Sequence, residues 1–294
     1  MPLPLAAYGP PFDALRWRPV GGGYSGAAVY AGSSNDDAPA FALKGYPPGY
    51  PADRLRQIHR WQAAAGHLPF VPALVPTRAG ATFAEADGRL WELSAWMPGA
   101  ADFRSHPSDA RLAAACAAVA ALHRAWEPAT PTLAPFPAVA RRLAVLADWR
   151  SAGLPSAVVS RWAGWAEREL APLAGRPVAV RPCLCDVHHD HVLFAGDAVS
   201  GVIDYGAMKA DHPAVDLARL LGDLVPDDAA RVRAGVAAYH AAGGSPAVTP
   251  ELVTLLDRTG AVGGAAFWLL RGGGDRLDRL TQRLSRWGLA PGRG

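Results

Sequence analysis

The sequence predicts an α+β fold of two lobes, a small β-rich N-terminal lobe over residues 1–98 and a large, mainly helical C-terminal lobe over residues 99–294. Three observations predict it. Short apolar runs alternate with Gly-rich and polar turns through the N-terminal third. Beyond Gly99, apolar residues recur almost everywhere at helical spacing. One strand–turn–strand pattern interrupts those helices, within residues 177–206.

The strands of the first lobe run from Leu15 to Val20, from Ala27 to Tyr30 and from Phe41 to Lys44. Gly21 to Gly26 joins the first two, and the polar turn Gly32 to Asp37 leads to the third. Ala52 to Gly66 reads as a helix with Leu55, Ile58 and either Trp61 or Gln62 on one face. Strands follow around Thr82–Glu85 and Leu90–Ser94, and Trp96-Met-Pro-Gly99 then breaks the pattern. In the second lobe Ser108 can cap a helix that runs to Trp126. Further helices are expected at 137–149, 155–173, 213–224, 227–242, 250–271 and 274–287, with Pro128–Pro137 as a loop. The last helix carries an apolar stripe, Leu277, Leu280, Leu284 and Trp287, which is expected to pack inward. Val192-Leu-Phe194, the turn at Gly196 and Asp197, and Val199–Ile203 form the hairpin.

Composition excludes several classes. Half the 294 residues are hydrophobic and 19% are charged, which suits a globular chain with an ample core rather than a disordered one. The net charge is only +3 and like charges are not blocked together, so neither nucleic acid nor a membrane surface is expected as a partner. The apolar stretches are too interrupted to span a membrane, and the opening Met-Pro-Leu-Pro-Leu does not look like a signal peptide. Three cysteines, Cys116, Cys183 and Cys185, give no disulfide framework and suit a reducing cytoplasm. Cys183 and Cys185 are expected to share the buried face of one strand.

The chemistry concentrates in Leu184 to Gly206. Asp186 follows the apolar run Val178–Cys185, and Asp204 ends the hairpin eighteen residues later. A tight hairpin is expected to bring the two carboxylates together, one to take a proton and one to hold a metal ion, as phosphoryl transfer from ATP-Mg needs. Basic residues are almost all arginine; the two lysines are Lys44 and Lys209. A retained lysine flags a position that wants a compact ammonium. Lys44 ends the strand after the glycine loop, where it can meet phosphates, whereas Lys209 is expected in a loop. Gly21, Gly22, Gly23, Ser25 and Gly26 lie between two strands, and such a loop can offer backbone N–H groups to phosphate oxygens. It is not a strand-to-helix glycine motif, so a dinucleotide fold is not expected.

These residues resemble the aminoglycoside phosphotransferase and choline kinase-like family, small-molecule kinases with the protein kinase fold. The family's His-Gly-Asp-x-x-x-x-Asn segment falls on Leu184-Cys185-Asp186 and His191, and its metal-binding aspartate on Asp204. Its later Asp-Leu-Ala falls on Asp216-Leu-Ala218, where the aspartate supports the catalytic loop. Ala121-Leu-His-Arg124 resembles a Leu-His pattern of the second lobe's first helices. The resemblance implies ATP, with Mg or another divalent metal such as Mn, and a small-molecule hydroxyl as acceptor. It implies Asp186 as base, His191 and Asp204 as metal ligands, Lys44 and the glycine loop on the phosphates, and the backbone around Trp96 on adenine. The sequence departs from the family at three positions. Histidine stands at 191 for asparagine, and leucine at 184 for histidine. The helix 52–66 has no glutamate for Lys44, its candidates being Asp53, Gln57 and His59.

Two other readings follow from those departures. One is a kinase-like binding or regulatory protein with impaired catalysis. The other is a metal-dependent hydrolase, because Asp186-x-His188-x-Asp190-His191 resembles the His-x-His-x-Asp-His motif of metallo-β-lactamase-like enzymes. The acceptor and the oligomeric state are not legible in the sequence.

Overall fold

The computed structural model describes residues 3–21, 26–34, 38–153, 157–271 and 274–289. In chain order they form β1 (Arg16–Val20), β2 (Ala28–Ser33), β3 (Phe41–Gly45), α1 (Ala52–Ala64), β4 (Leu74–Val75), β5 (Ala84–Ala86), β6 (Arg89–Ala95), α2 (Asp109–Ala125), β7 (Thr132–Pro135), α3 (Pro137–Ser151), α4 (Ala157–Leu170), β8 (Pro177–Cys183), β9 (Val192–Ala195), β10 (Ala198–Val202), β11 (Lys209–Asp211), α5 (Ala214–Leu224), α6 (Ala229–Ala241), α7 (Pro250–Leu269) and α8 (Asp275–Leu284). They make two compact units. The first joins Met1–Ala118 to His188–Met208, and the second joins Val119–Val187 to Lys209–Gly294. The first is β-rich and the second mainly helical, so the α+β class read from the sequence holds.

The first unit is built on an antiparallel sheet of order β1-β2-β3-β6-β4, with β5 paired to β6. Strand alternation gives its two faces different work. Leu43, Trp91 and Leu93 point into a core with Tyr8 and Phe12. Gly45 stands opposite Trp91 in the ladder, where a Cβ would come within 2.7 Å of the indole. Lys44 and Glu92, also directly opposite, point to the other face. That face is covered by α1, whose Leu55, Ile58, His59 and Gln62 are buried at i, i+3, i+4 and i+7. Gln62 takes the inward position rather than Trp61 because its amide donates to the Pro72 carbonyl (2.8 Å).

The hairpin β9–β10 belongs to this unit. Gly196 opens its two-residue turn at φ 62°. The hairpin is tied to the segment after β6: Ala100 and Phe194 exchange backbone hydrogen bonds (3.0 and 2.9 Å), and the Ser200 hydroxyl donates to the Pro98 carbonyl (2.6 Å). Ser108 caps α2 through the Arg111 N–H, as the sequence suggests.

The second unit corrects two expectations. Pro128–Pro137 is not all loop: Thr132–Pro135 forms β7 on the edge of β8. Lys209 is not in a loop but opens β11, opposite Cys183 on the other edge. Both strands take their hydrogen bonds from β8, a partner that local pattern does not reveal, and an edge strand tolerates proline. Leu133 in β7 is 67% exposed, so the strand carries no apolar alternation to read. The strand expected through Cys185 stops at Cys183, which is fully buried, while Cys185 turns left-handed at φ 65°. The two thiols therefore do not share a strand face. Trp149, Trp162, Val262 and Leu284 anchor the helical core, with Leu277, Leu280 and Trp287 packed against it as expected.

Gly99 tests the hairpin's attachment. Its φ is 96°, and a Cβ there would stand 2.2 Å from Ser200 Oγ and 2.5 Å from the Phe194 carbonyl oxygen. Gly99→Ala is expected to lose about 2–4 kcal/mol in urea unfolding, through strain and overlap together. Gly196→Ala, with open space around its Cβ, is expected to lose only about 1 kcal/mol by the same measurement.

Candidate active site

In the first unit the end of the hairpin meets the sheet. Asp204 adopts a left-handed backbone (φ 62°, ψ 73°), unusual for a residue other than glycine. Its Oδ1 accepts a hydrogen bond from Lys44 Nζ at 2.7 Å and another from the Gly206 N–H at 3.2 Å. Its Oδ2 lies 3.7 Å from His191 Nε2. Burial by itself would raise the Asp204 carboxyl. Lys44 above all, then His191 and the Gly206 N–H, outweighs burial and holds it below the usual carboxylate range. Burial likewise opposes the Lys44 charge, but Asp204 and then Glu92 raise its ammonium above the usual value. Gly206 keeps this junction open, since a Cβ there would lie 3.2 Å from Asp204 Oδ1 and 3.4 Å from Lys44 Nζ. The loop after Asp204 is tied to α1, where Tyr50 Oη and Arg54 donate to the Gly206 carbonyl.

In the second unit a buried carboxylate shapes the chain before Asp186. Asp216, fully buried near the start of α5, accepts hydrogen bonds from the Leu184 N–H (2.8 Å) and the Cys185 N–H (2.7 Å). His123 Nε2 stands 2.9 Å from the same carboxylate, and His123 Nδ1 stands 2.9 Å from the Tyr239 hydroxyl. Three donors thus compensate an anion that would otherwise be costly to bury, and they lock Cys185 in its left-handed turn. The next residue is Asp186, half-buried, its Oδ1 accepting from Arg219 Nε at 3.0 Å. Burial, with Asp216 and Asp211, pushes Cys185 up to about 12, and burial with Asp216 raises Cys183 well above the usual value.

The remaining sequence candidates fall as follows. The rings of His188 and His191 lie with centroids 3.9 Å apart and planes tilted by 38°. His189 Nε2 lies 3.1 Å from Asp190 Oδ1. Gly22, Gly23 and Ser25 lie outside the described residues. Gly21 and Gly26 flank that stretch, Gly26 at φ 70° with its carbonyl accepting from Arg89. The Trp96 N–H donates to the Ala40 carbonyl at 2.9 Å, so that amide is already committed to the sheet.

Comparison with known families decides the relationship. A model described as the phosphotransferase enzyme family matches residues 16–250. The chain belongs to this family. A homoserine kinase of Cupriavidus metallidurans is 26% identical over 241 residues, covering 73% of this chain and 68% of that protein. A choline/ethanolamine kinase family protein from Mesorhizobium loti superposes with a TM-score of 0.65 at 18% identity, over 99% of this chain and 92% of that one. Spectinomycin phosphotransferase, solved with ADP and spectinomycin, gives a TM-score of 0.65 at 14% identity, over 96% and 91%. At these identities the two structures show a shared fold, the protein kinase-like one expected from the motifs.

Within a phosphotransferase fold, four contributors stand out that the sequence reading missed. Arg219 binds Asp186; its signal is its position one helical turn after Asp216 on α5. Arg54 and Tyr50 hold the loop after Asp204 but carry no motif. Glu92 stands opposite Lys44 on β6, a placement that follows from strand register alone.

His212, between β11 and α5, gives the second unit a measurable pH signature. Burial, reinforced by Arg181 and His123, lowers its pKa from 6.5 to about 4, and its Nδ1 accepts from the Ala214 N–H. The folded-state pKa is depressed, so the contribution is fully present above pH 6.5. It is lost as pH falls through about 4, because only the unfolded chain takes up the proton in that window. His212→Asn keeps an acceptor without titrating. It is expected to lose about 3 kcal/mol less than wild type between pH 7 and pH 4 in urea unfolding.

Proposed function

We propose that the protein transfers the γ-phosphate of ATP to a hydroxyl group of a small molecule. The observation that carries this reading is the Lys44–Asp204 pair, a strand lysine against the left-handed aspartate at the hairpin end. A compact ammonium beside a carboxylate suits phosphate oxygens and a divalent cation together. Residues 1–98 are assigned to the nucleotide, with Lys44 and the loop Gly21, Gly22, Gly23, Ser25 and Gly26 on the phosphates. Residues 99–294 are assigned to catalysis and the acceptor. Because the Trp96 N–H is committed to Ala40, adenine recognition is assigned to the other backbone groups of the Trp96–Gly99 connection.

The donors we assign to a metal are the Asp204 carboxylate and the His191 imidazole, 3.7 Å apart. This set fits a divalent cation, and the imidazole tilts it from Mg toward Mn. Such a cation, when bound, neutralises phosphate charge. Asp186 takes the hydroxyl proton, and Arg219 orients its carboxylate. The acceptor oxygen forms the new bond to phosphorus as the bond to the β-phosphate oxygen breaks, leaving ADP. Asp216 acts at one remove, by holding the backbone on which Asp186 stands.

The acceptor class is drawn from charge and kinship. From Leu221 onward seven acids face nine arginines, an environment poorly suited to a polycation. A small amino alcohol, hydroxy amino acid or sugar fits better, and homoserine kinase is among the relatives. Among the described residues no helix is long and apolar enough to cross a membrane, and we assign the reaction to the cytoplasm, without nucleic acid or membrane partners.

Asp186→Ala is expected to lower phosphotransfer to a panel of homoserine, choline and spectinomycin by about a thousandfold, with nucleotide affinity within about threefold of wild type. Unchanged turnover in that variant overturns the assignment. His191 stands where the family carries asparagine, which also suits a binding protein of impaired catalysis. His191→Asn is expected to shift the Mg-to-Mn ratio of nucleotide affinities about tenfold toward Mg, read by calorimetry. If neither ATP with Mg nor ATP with Mn or Zn binds the wild-type protein, the kinase reading fails.

A further inference from the structure

The family's kinases set a helix glutamate against the strand lysine, and α1 of this chain has none. Its single acid, Asp53, pairs with Arg56 and is almost fully exposed, while Gln57 pairs with Arg60. His59 is different. It is buried against the sheet, with Nε2 2.7 Å from Glu92 Oε2 and Nδ1 2.8 Å from the Thr82 hydroxyl. Thr82 can donate to Nδ1, which leaves the ring proton on Nε2 to be donated to Glu92, so a neutral imidazole satisfies both contacts. Tyr46 Oη donates to the same Glu92 oxygen at 2.9 Å. Glu92, 14% exposed, is thereby fixed from two sides.

The carboxylate so fixed faces Lys44. Lys44 and Glu92 are direct partners in the antiparallel ladder, which puts their side chains on one face of the sheet. Tyr46 lies two residues beyond Lys44, and its ring lies 4.9 Å from the ammonium. An acid buried there with one histidine and one tyrosine as partners is costly unless a cation shares its face. Lys44 is that cation.

We propose that Glu92, braced by His59 and Tyr46, is the residue that positions Lys44, so that the acid supplied by a helix in related kinases comes here from strand β6. The helix contributes the brace instead of the charge. Lys44 then keeps an anionic partner when Asp204 turns to a cation, and the ammonium stays aimed at the phosphates. This inference rests on the phosphotransferase reading, since it gives Glu92 a role through Lys44 in nucleotide binding.

The test is a double-mutant cycle on the full chain, with a non-hydrolysable ATP analogue plus Mn as probe and calorimetry as readout, folding being checked by circular dichroism. Glu92→Gln is expected to weaken the analogue about tenfold, as the loss of one charge-assisted contact at the lysine. In a Lys44→Ala background the same substitution is expected to cost less than about twofold, because its effect passes through the lysine. His59→Gln, which removes the brace and leaves the carboxylate, is expected to follow the same pattern at about threefold, and it serves if Glu92→Gln does not fold. Wild-type affinity in a folded Glu92→Gln protein overturns the inference and leaves the kinase reading intact. Equal losses in both backgrounds also overturn it, making Glu92 a packing residue. No binding of the analogue to wild type overturns the inference and the kinase reading together.

Discussion

Asp216 is a carboxylate with no access to water, and an anion in that position must be met by donors. Those donors are the two amides that precede Asp186 and the imidazole of His123. Satisfying the charge therefore fixes the backbone. Cys185 is held in a left-handed conformation, β8 stops at Cys183, and Asp186 emerges at the surface within reach of Arg219. The tyrosine behind His123 extends the same demand into α6, because the ring needs a partner for its second nitrogen. One buried charge thus organises a strand end, a turn and two helices, and the half-exposed aspartate beside it inherits that order.

The first unit solves a related problem with opposite charges. Lys44, 15% exposed, has Asp204 as its ion-pair partner and Glu92 opposite it on the sheet face. Asp204 reaches the lysine because the hairpin is anchored at Ala100 and Pro98 and because its own backbone adopts a strained turn. Glu92 shares the lysine's sheet face because strand register sets the two residues opposite each other. The two acids differ in their supports. Asp204 is held by the loop that follows it and by α1 through Arg54 and Tyr50, while Glu92 is held by His59 and Tyr46.

Much of this was readable in advance where the signal was local. The period of Leu55 and Ile58, continued by either Trp61 or Gln62, marks α1, the Gly-Asp turn marks the hairpin, and Ser108 marks the start of α2. Asp186 and Asp204 stand out because each sits at the boundary of an apolar run, where a carboxylate has a purpose, whereas Asp216 was picked out only by its match to the family's Asp-Leu-Ala pattern. The misses share one cause. β7 and β11 exist because β8 offers them hydrogen bonds, and neither Leu133 nor Lys209 shows an apolar face of its own. Cys185 departs from the strand because Asp216, far along the chain, captures its amide. Arg219, Tyr50 and Arg54 carry no spacing motif, so their roles emerge only from the partners they meet.

By itself, then, the sequence determined the kinds of element, the α+β class and the set of charged residues at the ends of apolar runs, because periodicity and turn chemistry are local properties of a chain. Only the tertiary structure decided which of those charges are partners. The acid opposite Lys44 comes from β6 rather than α1, and His59, a candidate for that place in the sequence, meets that acid instead. That choice belongs to strand register and helix docking, which join residues distant in sequence and leave no trace in the spacing around either one.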